Sequence, residues 1–379
     1  MKHILLAGCA ALAFASLTGT AAAQSKFQVL IGGDAYFQAG YMDDENTGEN
    51  LRDTEFSNRF RLNVIPSAKA DNGLEYGGRI RIRATNSNRS LDYDRAYIFV
   101  QGGFGQVRLG TQEGASSEWG IIGPVGDWGT FGGPDGFWMD FVADINDLPV
   151  QAQGDLRTYT SQTRSSSVLY QSPTFAGLSL AASFTPVVGN NGASVARTEI
   201  TGDSDRTLNF KNVYEVGLVY SGEFSGATVE GSAFYSGGEA RDGAVGVGFE
   251  DLSSVQAGLQ VGYAGFKVGG SYSWAGDSGY EKSLGVVSTE DTYTWIAAAQ
   301  YQFGAFTVGG SYTYSQDPGS TFITGKRDLD LWQAGLTYLV SPGLTVGLEY
   351  THYDVDNKEI GGTPDRDGNI VILQTWLTF

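Results

Sequence analysis

The chain has 379 residues, with 42 acidic and 24 basic side chains, a net charge of −18 and a single cysteine. An acidic balance of this kind excludes a nucleic-acid-binding surface, which needs clustered positive charge. One cysteine excludes a disulfide framework and a cysteine-built metal or catalytic site, and beyond Met1–Ala23 no apolar run approaches the ~20 residues of a helical membrane span.

Met1–Ala23 reads as a secretory signal. Lys2 supplies the charged start, Ile4–Leu17 the apolar run, and Ala21-Ala22-Ala23 a small-residue cleavage site before Gln24. Leu6-Ala7-Gly8-Cys9 looks like a lipoprotein box, but the apolar run before Cys9 is too short for that role and continues past it. Cleavage leaves a mature domain, residues 24–379, with no cysteine.

The mature chain alternates apolar and polar residues in short runs, the period of strands with two different faces. In Phe27–Tyr41 one face carries Phe27, Val29, Ile31, Phe37 and Tyr41, and the other Gln28, Asp34, Tyr36 and Gln38. Ile80, Ile82 and Ala84 oppose Arg79, Arg81 and Arg83, while Tyr293, Trp295 and Tyr301 oppose Thr294, Gln300 and Gln302. Aromatic residues open and close the apolar face, as on the lipid side of a transmembrane barrel. A soluble sandwich also alternates, but it buries its apolar face and has no need of aromatics at both strand ends.

Sixteen such runs are expected: 27–42, 54–67, 74–86, 91–101, 105–112, 164–172, 178–186, 209–221, 226–236, 252–263, 266–275, 291–303, 305–315, 329–340, 344–353 and 369–379. An even, closed set leaves no edge strand in hydrocarbon. The connections alternate between short turns, such as Ala264-Gly265 and Ser341–Gly343, and long acidic loops, such as Val187–Leu208 and Gln316–Asp328. That asymmetry belongs to outer-membrane barrels. A Val-Gly-Gly-Ser-like repeat at Val229, Val268, Val308 and Val346 returns once per hairpin.

One segment breaks the pattern. Glu113–Thr163 contains Gly123-Pro124 and Gly133-Pro134, three of the seven tryptophans, and eight acids (Glu113, Glu118, Asp127, Asp135, Asp140, Asp144, Asp147, Asp155) against Arg157 alone. A connection of this length inside a compact domain is expected to be functional.

Asp94–Gln112 and Ser167–Phe175, with the signal peptide, the strand pattern, the acidic loop after the fifth strand and the terminal Phe379, resemble the general porins of Gram-negative outer membranes. The resemblance covers the whole mature chain. It implies an all-β fold, a transmembrane antiparallel 16-stranded β-barrel with long outer loops, in which Glu113–Thr163 folds into the lumen as the constriction loop. It further implies a homotrimer in the outer membrane of a Gram-negative bacterium, among outer-membrane lipid and lipopolysaccharide, and a terminal aromatic that serves as an assembly signal. The function expected is passive diffusion of small hydrophilic solutes and ions through a water-filled channel.

Ten of the 24 basic residues lie in Arg52–Arg108. By parity Arg59, Arg61, Arg79, Arg81, Arg83, Arg95 and Arg108 face the lumen on neighbouring strands, because three arginines facing lipid on one strand would cost ~2–4 kcal/mol each near the midplane. Arginine holds its charge even when crowded by other cations, and fixed charge at a constriction is how pores select ions. The constriction is therefore expected between this basic wall and the loop acids Glu113, Glu118, Asp127, Asp135, Asp140, Asp144 and Asp147.

Two rival classes make different demands on the residues. A barrel hydrolase needs a histidine base near a nucleophile or carboxylate, whereas His352, the one histidine after the signal, has lipid-facing parity, so no catalytic residue is assigned. A sugar-specific channel would line its lumen with aromatics, and Tyr36, Tyr97, Phe99 and Phe234 have inward parity but are scattered. No cofactor or metal is expected. Acids in the outer loops (Asp43-Asp44-Glu45, Asp203 with Asp205, Glu250-Asp251, Asp365 with Asp367) offer carboxylates for Ca²⁺, but without a ligand spacing.

Overall fold

The structure is a computed structural model, which describes residues 26–44, 51–84, 91–126, 129–133, 136–142, 164–191, 210–240, 248–282, 290–320, 323–358 and 365–379. The signal segment and the loop acids Asp127, Asp135, Asp144, Asp147 and Asp155 lie outside the described residues.

All sixteen expected strands are present: β1 (Gln28–Asp44), β2 (Thr54–Lys69), β3 (Glu75–Ala84), β4 (Asp92–Gly102), β5 (Gly105–Gln112), β6 (Ser165–Gln171), β7 (Leu178–Val187) and β8 (Phe210–Phe224). They continue as β9 (Ala227–Ala240), β10 (Leu252–Tyr263), β11 (Phe266–Gly276), β12 (Thr292–Phe303), β13 (Phe306–Ser320), β14 (Ile323–Ser341), β15 (Leu344–Asn357) and β16 (Arg366–Thr378). Each pairs antiparallel with its neighbours in sequence, and β1 also pairs with β16, closing the barrel. Closure leaves no unpaired edge in the membrane. The seam extends to the last residue: the Gly33 N–H donates to the Phe379 carbonyl at 2.8 Å, the Phe379 N–H donates back at 3.1 Å, and the Phe379 ring lies 5.7 Å from that of Phe60.

The short turns are built from residues with positive φ. Ala176-Gly177, Ser225-Gly226 and Ala264-Gly265 all have it at both positions, the mirror-image turn whose twist matches a two-residue hairpin. On the other rim Gln316–Asp328 is not the loop expected from its polarity. β13 and β14 pair outward as far as Ser320↔Ile323, through a bulge between Asp317 and Gly319. Ladder bonds and the buried Arg327–Asp317 ion pair at 2.6 Å satisfy a polar sequence there as a strand.

Outward residues make two aromatic bands on β11–β14. Phe266, Tyr301, Phe303, Phe306 and Tyr338 stack in succession at 4.1–5.6 Å near the short turns. Tyr272, Tyr293 and Tyr314, with Trp295, Tyr312 and Trp332, form the second band towards the long loops. Paired girdles of this kind mark the two membrane interfaces. His352 belongs to the outward surface, in register with Trp332 and Asn369, and its Nδ1 lies 3.2 Å from Asn369 Oδ1.

Candidate functional site: the lumen and its loop

After β5 the chain turns into the bore. Helix α1 (Ala115–Trp119) comes first and a 3-10 turn, Phe137–Asp140, follows. Between them the loop follows the inner wall and meets the strands in barrel order. The Ala115 N–H donates to Ser183 Oγ on β7 (3.1 Å), Ser116 N–H to Glu215 on β8 (3.0 Å) and Ile121 N–H to Ser232 Oγ on β9 (2.8 Å). On β10 the backbones meet so closely that a Cβ on Gly258 would overlap the Ile121 carbonyl. The loop then reaches Gln300 on β12, Ser311 on β13 and Gln333 on β14, at 3.3, 2.9 and 2.7 Å.

Its far end is held by side-chain packing. Trp138 is fully buried, donates its indole N–H to the Gly133 carbonyl at 2.9 Å and lies against Tyr353 of β15. Phe137 packs on Trp376 of β16 and Tyr36 of β1, 5.1 and 5.2 Å away. Beneath this end the wall is apolar on its inner face, where Leu329, Leu331, Val355, Ile370 and Ile372 are buried with Trp138 and Phe141. Alternation predicts a polar inner face throughout. The departure has a physical reason, since a wall covered by the loop never meets the lumen water.

The described residues of the loop therefore lie along the wall from β7 round to β1, and the basic residues occupy the sector β2–β5 that those residues do not line. Arg59 and Arg61 stand on β2, Arg79, Arg81 and Arg83 on β3, Arg95 on β4 and Arg108 on β5. Glu118 of α1 bridges Arg95 and Arg108, the latter at 2.9 Å. Glu113 joins Arg95 (3.0 Å) to Arg164 (2.9 Å). At the opposite edge Asp140, exposed to the lumen, takes hydrogen bonds from the Tyr36 and Ser57 hydroxyls, each at 3.5 Å. Enclosure by the barrel pushes the Asp140 carboxyl up, and the nearby Arg59 guanidinium pulls it back down. The described loop acids thus flank the basic sector on both sides.

The middle of that sector is paired within the wall instead. Asp34 accepts from Arg61 (2.9 Å) and Arg59 (3.3 Å). Asp94 takes Arg81 through two nitrogens and Arg83 at 3.4 Å, and Asp92 takes Arg83 at 2.9 Å. Arg79 donates twice to the neutral Asn63 side chain, at 2.7 and 2.9 Å, and makes no ion pair among the described residues. Parity sets Arg79, Arg81 and Arg83 against loop acids; among the described residues they meet Asn63, Asp94 and Asp92, and the loop acids Asp127, Asp135, Asp144 and Asp147 lie outside those residues.

Asp34, Asp92, Asp94 and Arg164 are site residues that the sequence reading does not pick out. The inward aromatics do not form a slide. Tyr36 and Phe234 are buried, Phe234 in a cluster with Ala115 of the loop, while Tyr97 lies under the Arg108 guanidinium, 5.4 Å from its ring centre. Among the described residues no group of three or more His, Cys, Asp or Glu side chains is arranged to hold a metal ion.

Comparison with known proteins places this geometry. A family model described as Gram-negative porin matches residues 8–358. The uncharacterized protein RC0098 of Rickettsia conorii is 23% identical over 246 residues, 53% of this chain and 56% of that protein, so the chain spans about half the length of this curated relative. The anion-selective porin of Comamonas acidovorans superposes with a TM-score of 0.61 at 12% identity, over 93% of this chain and all of that one. OmpT of Vibrio cholerae, an outer membrane protein folded in vitro and in its trimer form, matches with a TM-score of 0.58 at 12% identity, over 93% and 99% of the two chains. At such identities the likeness is one of fold.

Proposed function

The chain belongs to the Gram-negative porins, outer-membrane barrels for passive diffusion, and we propose that it admits small hydrophilic solutes and ions through a constriction between its arginine wall and its lumen loop. The observation that carries this reading is the division of the inner wall. The described residues of one loop line β7 round to β1, and the sector β2–β5 beyond them holds all seven wall arginines, edged by Glu113, Glu118 and Asp140. Guanidinium and carboxylate groups fixed in a narrow aqueous passage set a field that sorts solutes by charge.

The working unit in this reading is a homotrimer. The trimer form of the Vibrio cholerae protein supports it. No hydrolytic activity is proposed, since His352 sits on the outward surface away from the lumen. The test is single-channel recording of the detergent-purified protein in a planar bilayer. Stepwise, ohmic conductance in KCl is expected, in triplets if the trimer is the unit, and a protein that inserts without conducting would refute the reading.

A further inference from the structure

Glu215 stands outside the arginine-bearing strands. It lies on β8, three strands beyond the nearest arginine-bearing strand, β5, and is 2% exposed. Burying a carboxylate is costly unless hydrogen bonds replace its water, and here the loop supplies several of them. Glu215 accepts from the Ser116 N–H at 3.0 Å, the Ser116 hydroxyl at 2.9 Å and the Ser183 hydroxyl at 2.9 Å. Ser183 also accepts from the next N–H in the loop, that of Ala115. Gly114 has ordinary extended backbone (φ −73°), yet a Cβ there would overlap the Glu215 carboxylate. The first turn of the loop is therefore seated on this side chain together with Ser183.

The same turn carries the two acids that meet the basic wall. Glu113 immediately precedes Gly114, and Glu118 stands two residues beyond Ser116. Their partners Arg95, Arg108 and Arg164 belong to the barrel and its β6 root, so the seat of the turn helps to decide whether Glu118 reaches both Arg95 and Arg108. Charge-assisted hydrogen bonds from backbone N–H groups to a carboxylate are short and directional, which suits them to fixing such a seat.

We infer that Glu215 is a positioning residue for charge selection: by holding the Gly114–Ser116 turn it keeps Glu118 on Arg95 and Arg108, and so sets how much positive charge the lumen shows to a passing ion. This rests on the constriction reading above. A solute need never touch Glu215 for the residue to govern what passes.

The test is a double-mutant cycle read as reversal potential in a KCl gradient across a planar bilayer. Glu118→Gln removes the acid and should raise the chloride-to-potassium permeability ratio. Glu215→Ala should raise it in the same direction, by about two- to fivefold, and add nothing when Glu118→Gln is already present. Glu215→Gln keeps an acceptor for the Ser116 N–H and should stay near the wild-type ratio. If Glu215→Ala yields no folded barrel on a heat-modifiability gel, Gly114→Ala drives a methyl into the Glu215 carboxylate, breaks the same contact from the loop side and should give the same shift. The proposal is overturned if Glu215→Ala, or Gly114→Ala in its place, leaves the ratio unchanged, or if the shift adds to that of Glu118→Gln. A Glu215→Gln shift as large as that of Glu215→Ala would also overturn it, since the effect would then be direct electrostatics. If Glu118→Gln itself leaves the ratio at the wild-type value, it is the constriction reading that fails.

Discussion

Arg79 and Arg81 share a strand and a face, yet removing them has different consequences. Arg81 is buried against Asp94, itself 2% exposed, whereas Arg79 is hydrogen-bonded only to the neutral Asn63 side chain among the described residues. Truncating one partner of a buried ion pair strands the other charge and costs about 3–5 kcal/mol. Asp94 keeps Arg83 at 3.4 Å when Arg81 is removed, so Arg81→Ala should destabilise the barrel by less than that, about 2–3 kcal/mol, in detergent unfolding followed by tryptophan fluorescence, with most of it recovered when Asp94→Ala is added. Arg79→Ala should cost no more than about 1 kcal/mol. Equal costs for the two would contradict the pairing. Parity alone does not reveal Asp94 as a partner, because alternation puts it on the same side as Ala96 and away from Arg95. A bulge where β3 meets β4 shifts the register from Arg81↔Arg95 to Ile82↔Tyr93, so that Asp94 and Arg95 both turn inward. A strict two-residue period cannot anticipate that.

At the scale of the element, the lumen loop is held by different chemistry at its two ends: hydrogen bonds to β7–β9 at the start, and Trp138, Phe137 and Phe141 against an apolar wall at the far end. The far end should be the one that packing defects release. Trp138→Ala removes a fully buried indole, a loss of about 3–5 kcal/mol in an ordinary core. Channels of this variant are expected to insert normally but to show current noise and faster proteolysis within the loop. A quiet, wild-type conductance would mean that Trp138 does not hold it. The existence of the loop was legible from its length, its Gly-Pro pairs and its tryptophans. Its path was not, although traces of it stand in the strands. Gly258 and Gly309 are inward positions where the loop backbone or the Phe131 ring comes too close for a Cβ, and Ile370 and Ile372 are apolar on a face that should be wet. The Val-Gly-Gly-Ser repeat at Val308 thus contributes to packing as well as to hairpin periodicity, since Ser311 donates to the Phe131 carbonyl.

For the whole molecule, the strand count and the closed antiparallel order follow directly from alternation and turn residues, because a barrel in lipid has few other ways to satisfy its backbone. The extension of β13 and β14 past Gln316 was hidden by its polarity, which reads as loop when a strand leaves the membrane into water. The closing seam makes a separate prediction. Deleting Phe379 removes two backbone hydrogen bonds to Gly33 and the contact with Phe60, so the fraction of heat-modifiable, folded barrel recovered after refolding into lipid should drop severalfold. An unchanged yield would show that the last residue does not help to close the barrel.

The central claim is that charge fixed on the arginine-bearing sector β2–β5 and on its two edges decides what passes. Reversal potential in a KCl gradient across a planar bilayer tests it most directly, with Arg79→Gln set against Glu118→Gln and Asp140→Asn. The first should move permeability towards potassium and the other two towards chloride, around the wild-type value. Reversal potentials that stay at the wild-type value in all three would contradict the placement of the selecting field at this constriction.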